Sequence, residues 1–533
     1  MEIYDYIIVG GGTAGCVLAN RLTACGQYDV LVLEAGGEPR SMWIDMPAGF
    51  SKLLTNERYN WRFHTEPEAN TLNRVISVPR GKGLGGSTLI NGMIFVRGQP
   101  GDYDAWADAG AAGWNYAQVE PYFRRMETFA GAGEGRGRTG PMSVVPVRER
   151  YPITQAFIEA GRNWGLPYNE DYNGGTQEGV GYYQATQRAG RRWSAYDAYL
   201  KPARRRKNLD ILTGTHVLGL DIEGRECRGV RFQAGGQARK VRARRSVVLS
   251  AGALQSPQLL ELSGIGRPEV LRGAGIEIRH VLNGVGENYI DHFCTRMNWR
   301  LKGISTLNEM SRDWRLGAAL LHYLTRGRGF LTLGTGLVNG FVRTRPELAT
   351  PDVQYFFMHA SYANAAERML DRKPGMTLGV SQMRPQSVGS IHVRSPDARD
   401  APVIRPNFLA SAVDQETLVA GMRIGRQIVE TEPVRQYVVE EASPGGKVQT
   451  DAQWLEFARE NGQTIYHPIG TCRMGEDEGA VVDSRLRVRG IGGLRVVDAS
   501  VMPSMISGNV QAAVMMLAER GADLILQDAA QPA

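Results

Sequence analysis

The stretch Tyr4-Asp5-Tyr6-Ile7-Ile8-Val9-Gly10-Gly11-Gly12-Thr13-Ala14-Gly15, answered by Val30-Leu31-Val32-Leu33-Glu34-Ala35-Gly36, decides the fold. Ile7-Ile8-Val9 is a short β-branched run, suited to a parallel strand buried on both faces. Gly10, Gly12 and Gly15 have the G-x-G-x-x-G spacing. The first glycine permits a tight turn, the second lets a pyrophosphate approach the backbone, and the third lets the helix pack closely on the strand. A helix opening at Thr13 and Ala14 offers free N–H groups and its positive dipole end to phosphate. Glu34 closes the second strand roughly twenty residues past the glycines, where an acid can hold the hydroxyls of an unphosphorylated ribose. Strand, turn, helix and acid together predict a dinucleotide site on a Rossmann-like sheet. They do not separate FAD from NAD.

Outward from this motif, residues 41–80 read as irregular, and Trp61 and Phe63 are expected to pack beneath that loop, with stacking against the cofactor as the alternative. Gly81, Gly83, Gly85 and Gly86 then interrupt any regular element and suit backbone wrapped closely round a ligand. Arg80 and Lys82 are placed to balance phosphate charge, and Ser87, Thr88 and Asn91 offer donors. Helices are expected within 100–130, over 152–165 and after Trp193, the last ended by Pro202. Short strands follow near 209–212, 217–220 and 229–232. Arg245 to Ala253 is another buried strand running into small residues, followed by a helix with Pro257 in its first turn and a glycine stop. Gly284-Val285-Gly286 repeats the close-approach pattern.

From about 296 to 460 the composition shifts. Strands at 353–357, 376–380 and 390–393 predict an antiparallel sheet, with helices at 411–430 and 451–460 on one side of it. Cofactor-like sequence then returns as Thr464-Ile465-Tyr466-His467-Pro468-Ile469-Gly470 and as the strand Leu494–Ser500, which ends in Asp498 and Ala499. A C-terminal helix is expected over 512–526.

The 533 residues carry a formal net charge of +7, with basic residues dispersed and no aromatic-interleaved basic motif, which argues against nucleic-acid binding. The five cysteines are scattered and lack C-x-x-C spacing, so neither a disulfide framework nor a zinc site is expected. No run of about 18 apolar residues exists, and the cofactor strand begins too early for a signal peptide. These features predict a cytoplasmic protein.

Taken together, the N-terminal fingerprint with Glu34, the Gly81–Phe95 and Gly252–Gly266 stretches, and Tyr466-His467-Pro468 with Asn509 resemble the glucose–methanol–choline (GMC) family of flavin oxidoreductases, most of all its bacterial alcohol and choline dehydrogenase branch. The resemblance covers essentially the whole chain, and it is what chooses FAD over NAD. It implies an α/β (α+β overall) architecture. Residues 1–155, 205–295 and 465–533 form a Rossmann-like FAD-binding domain, and residues 156–204 and 296–464 a substrate domain on an antiparallel sheet. It implies that His467 is the active-site histidine beside flavin N5 and Asn509 its pair member. FAD would be held by Gly10, Gly12, Thr13, Ala14, Gly15, Glu34, Ala35, Arg80, Gly85, Gly86, Ser87, Asn91, Gly92, Met93, Ile94, Val217, Ala251, Asp498, Ala499 and Val510. Some members link FAD covalently through a histidine where this chain has Ile90, so the flavin is expected to be non-covalent.

The chemistry argues separately for the pair. Oxidising a primary alcohol to an aldehyde removes a hydroxyl proton and a carbon hydride. Imidazole suits the proton, an amide can bond the oxygen as alkoxide character develops, and FAD takes the hydride. The expected partners are a small alcohol and an electron acceptor, whether oxygen, a quinone or another carrier. A lyase or other non-redox enzyme on the same flavin fold is the competing reading. The other histidines, His292 among them, carry no such context in the sequence.

Overall fold

The computed structural model describes residues 2–364 and 369–530, the side chain of Asn364 excepted. It is a mixed α/β structure built on two seven-stranded sheets.

The first sheet grows from the motif. β1 (Ile3–Val9), α1 (Thr13–Thr23) and β2 (Val30–Glu34) form the strand–helix–strand unit, with β1 and β2 parallel. Strand Leu209–Thr213 extends the sheet beside β2, and Gln237–Leu249 lies on the other side of β1, both parallel. Ile7, Ile8, Val30 and Val32 are fully buried, as a sheet covered on both faces requires. Gln237–Leu249 serves two arrangements. Its C-terminal residues pair in parallel with β1 and with Leu494–Val496. Its N-terminal residues close an antiparallel meander with Thr215–Glu223 and Glu226–Ala234. The C-terminal helix, Gln511–Ala530, lies against α1 and is longer than its sequence pattern implied.

The second sheet is antiparallel, in the order Val438–Ser443, Phe293–Leu301, Gly375–Gln382, Val353–Met358, Val338–Val342, Gly179–Tyr182, with Gln463–Thr464 also pairing Phe293–Leu301. Helix Ala412–Val429 packs on one face. A Cβ at its Gly421 or Gly425 would press on Val353, Val380 and Leu378, which therefore point toward that helix. Asp451–Asn461 and Pro152–Trp164 pack beside it. Because side chains alternate along a strand, Phe356, Met358, Thr377 and Gly379 face the other way.

Two local expectations are corrected, and one helix is added. Among the described residues Ser390–His392 does not join the large sheet and pairs with Val403–Arg405 alone. The helix after Trp193 is not ended by Pro202. A π turn over Tyr196–Leu200 hands on to Lys201–Ala203, whose first turn accepts a residue without an N–H. A helix over Asp313–Arg326 stands in a region where the sequence offered no reading.

Candidate active site

A cavity opens between the two sheets. The glycine turn after β1, the 80–94 loop, the 250–255 turn and residues 498–511 line it from the first sheet's side. Cys294, Arg296, Phe356, Met358, Thr377 and Gly379 line it from the second.

The glycine turn has the division of labour its spacing implies. Gly10 has φ +104, and a Cβ there would lie 2.5 Å from Ser250 O. At Gly15 a Cβ would meet Gly10 O at 1.9 Å, so α1 can sit on the turn only without a side chain. At Gly12 nothing lies closer than 3.9 Å, and the backbone is open to the cavity. No side chain caps α1, so its first-turn N–H groups are available to an anion.

Of the expected cofactor residues, all but Gly15 and Gly85 line this cavity. Gly15 is consumed by helix packing. Gly85 donates its N–H to Gly11 O at 2.8 Å and faces Leu89. Several of the others act differently from expectation. Glu34 lines the cavity, but its carboxylate accepts three backbone N–H groups: Gly11 at 2.8 Å on Oε2, Gly36 at 2.7 Å and Gly83 at 3.0 Å on Oε1. A carboxylate has about four acceptor positions, so one remains for a ribose hydroxyl. Burial raises its pKa against the pull of those donors. Asp498 is filled completely, by Gly252 N and Ser256 Oγ on one oxygen and Ser500 N and Oγ on the other. It ties two turns of the wall together.

Arg80, expected to balance phosphate, donates instead to the carbonyls of Pro79 and Tyr466 and so anchors the chain entering His467. Lys82 lies over the Trp61 ring at 4.6 Å. Asn91 is occupied by Arg192, Gln511 and the N–H of Met93, and it holds Met93 at φ +63. Ser87 accepts from Gly81 N–H at 3.1 Å. Trp61, expected to pack beneath its loop with stacking on the cofactor as the alternative, stacks on Phe63 and reaches the cavity wall.

At the far end His467 and Asn509 meet, with Asn509 Nδ2 3.2 Å from His467 Nε2. Behind them stands a residue to which the sequence gave no role. His292 is buried, with Nδ1 3.0 Å from His467 Nδ1 and Nε2 2.8 Å from Met383 O. The tautomers follow from the hydrogen bonds. A carbonyl only accepts, so His292 carries its proton on Nε2. Burial pushes the His292 pKa down to about 4, so the ring is neutral near neutral pH and its Nδ1 is a lone pair. His467 must then donate from Nδ1, which leaves its Nε2 as an acceptor facing Asn509. Gln354 Nε2 donates to Asn509 Oδ1 at 3.2 Å, which fixes the amide in the matching orientation.

Asp291 holds the same corner by accepting the His467 backbone N–H at 2.9 Å and the hydroxyls of Thr464 and Tyr289. Burial raises its pKa to about 6. Tyr466 takes φ +73, unusual for a non-glycine residue, to aim the next side chain. Burial first, then His292 and Arg80, hold His467 well below the usual imidazole range. The missed pair Asp291-His292 lies a few residues past Gly284-Val285-Gly286, already marked as a close approach, and that nearness was the available signal.

Comparison with known proteins shows the family. The profile described as GMC oxidoreductase matches residues 4–294, and its C-terminal counterpart matches residues 385–518. The chain belongs to the GMC oxidoreductase family. Its cofactor is accordingly FAD. An oxygen-dependent choline dehydrogenase of Photobacterium profundum is 39% identical over 98% of this chain and 93% of its own length. An alcohol dehydrogenase [acceptor] of Pseudomonas putida is 37% identical over 98% of this chain and 96% of its own. Among solved structures, pyridoxine 4-oxidase from Mesorbium loti superposes with TM-score 0.88 at 32% identity, over 97% of this chain and 98% of that one. The residues present fit FAD: an uncapped helix terminus, an open Gly12 and a spare acceptor on Glu34 line one cavity with the His467–Asn509 pair.

Proposed function

We propose that this GMC oxidoreductase oxidises a small alcohol, a primary one to its aldehyde, with FAD held non-covalently. The observation that carries the reading is the chain Met383 O, His292, His467, Asn509, which presents an unprotonated Nε2 beside an amide donor. FAD, when bound, supplies the two-electron acceptor for the hydride.

His467 Nε2 takes the hydroxyl proton of the alcohol. The imidazolium that forms is stabilised through Nδ1–H by the lone pair of the neutral His292. Asn509 Nδ2, which bonds Nε2 without substrate, turns to the substrate oxygen and supports its developing negative charge. Asp291 and Arg80 hold the backbone on either side of the base. The second-sheet side chains Phe356, Met358 and Thr377 shape the space for the alcohol. Ile90 stands where other members carry a linking histidine, which supports a non-covalent flavin. Residues 1–155, 205–295 and 465–533 act as the FAD-binding domain and 156–204 and 296–464 as the substrate domain. The printed names of the Photobacterium and Pseudomonas relatives support an alcohol as the donor and oxygen or another carrier as the acceptor.

The test is anaerobic flavin bleaching across a panel of alcohols, followed by mixing with oxygen. A primary alcohol should bleach the wild-type flavin and not that of His467→Ala on the same time scale. Flavin that no alcohol reduces would refute the reading.

A further inference from the structure

The helix Asp313–Arg326 is apolar on two faces, and only one of them is covered. Ala319, Leu320 and Tyr323 pack inward with Met46, Phe330 and Leu331. On the opposite face Trp314, Leu321 and Leu324 are 76%, 65% and 69% exposed. Trp314 and Leu321 are seven residues apart and Leu324 three further, so all three lie on one side, with only Gly317 and Ala318 between them. Arg315, His322 and Arg326, seven and then four residues apart, share one flank, and Arg328 follows just beyond the end. Asp313 is the helix's only acid. Among the described residues none of these three arginines has an acidic partner. Nearby, Met42 and Trp43 are also exposed, on the short helix whose following residue, Met46, packs under Tyr323.

From this surface we infer that the protein docks on an anionic lipid bilayer through the outer face of this helix. Large apolar and aromatic side chains edged by arginine are the composition of a helix that lies in the plane of a membrane interface. Fourteen residues span about 21 Å, short of the ~30 Å hydrocarbon core, so the helix lies on the bilayer and does not cross it. No helix among the described residues is long and apolar enough to cross. A second copy of the chain fits the face less well. An antiparallel two-fold pairing of this helix would set the Arg315–Arg326 flank near its own copy, like charge against like. Phe50 and Leu54 line the active-site cavity, and their segment packs against the helix through Ala48, so docking brings one cavity wall near the lipid. Docking is independent of which alcohol is oxidised.

The FAD-loaded full chain is centrifuged with vesicles of phosphatidylcholine alone and of phosphatidylcholine mixed with phosphatidylglycerol. We expect sedimentation with the mixed vesicles, weakened by salt. The partition coefficient should fall about fivefold for each of Arg315→Gln and Arg326→Gln. It should fall tenfold or more for the pair Leu321→Gln and Leu324→Gln. Turnover with a soluble acceptor should be unchanged in all of these, which shows that they fold. Absence of sedimentation with mixed vesicles, or equal sedimentation by the leucine variant, would overturn the inference. So would sedimentation velocity in which the leucine variant dissociates a dimer that does not bind lipid.

Discussion

The two walls of the cavity are built on opposite principles. The first-sheet wall is mostly backbone. Gly10, Gly12, Gly86 and Ala251 come close because buried acids draw the turns together, Glu34 with three N–H groups and Asp498 with four donors. The second-sheet wall is mostly side chain. Phe356, Met358 and Thr377 project from alternating positions while their neighbours hold the helix behind. A wall of backbone fits one ligand and tolerates little change. A wall of side chains keeps its frame while the residues on it vary. Under the proposed function the first wall would hold the cofactor and the second would set the choice of alcohol.

The comparison breaks most severely where the walls meet. His467→Ala should keep FAD and slow flavin reduction on the order of 10²–10⁴-fold, the usual worth of a positioned base. Rapid-mixing absorbance of the flavin measures that step alone. Asn509→Ala should also slow it, and the double variant should lose less than the product of the two, since both groups act on one oxygen. One step back, His292→Leu removes the acceptor that fixes the His467 tautomer. The expected loss is roughly 10–100-fold, typical of outer partners that orient a histidine, and FAD content should not change. A wild-type reduction rate in His292→Leu would show that the tautomer is set elsewhere.

Cutting the acid that gathers the first wall tests the other side. Glu34→Ala leaves three buried N–H groups without their acceptor, at about 1–3 kcal/mol each. Its flavin should be lost on gel filtration and its thermal midpoint should drop, the second partly because bound cofactor stabilises the native state. On the second wall, Met358→Ala should alter the ranking of alcohols by kcat/KM by about tenfold with flavin content and midpoint nearly constant. Loss of FAD there would erase the distinction between the walls.

The remaining effect is in pH. His359, buried at the end of a second-sheet strand, stacks on Tyr151 at 3.9 Å, and burial lowers its pKa to about 3. The unfolded chain takes up a proton below its ordinary 6.5 and the folded chain does not. Stability is therefore whole above that pH and falls as pH drops toward 3. Each pH unit costs about 1.4 kcal/mol per such group. His359→Phe should flatten the acid side of a plot of thermal midpoint against pH relative to wild type.

What the sequence made legible follows the same division. Close backbone approach demands glycine and alanine at fixed spacing, so the first wall could be read residue by residue down to Gly10, Gly12 and Ala251. What those residues do was less legible. Arg80 looked like a phosphate contact, and Asp498 a cofactor ligand, because hydrogen bonds to distant carbonyls and turns leave no local trace. Alternation on a strand does not say which face meets a helix and which a ligand, so Phe356 and Met358 were indistinguishable from core. His292 was silent because its meaning depends on a partner 175 residues away.

The pairing Phe293–Thr464 has one more implication. His292 and His467 follow or flank two adjacent strands of the second sheet, whereas the glycine turn and Glu34 belong to the first. Under the proposed function the base would share a mechanical frame with the second-sheet side chains, and the hydride acceptor would lie against the other frame. A change in spacing between the sheets would alter how far the hydride travels and leave the proton's journey untouched. Isotopic substitution on carbon and on oxygen would then respond separately to pressure or viscosity, each reporting on a different side of the seam.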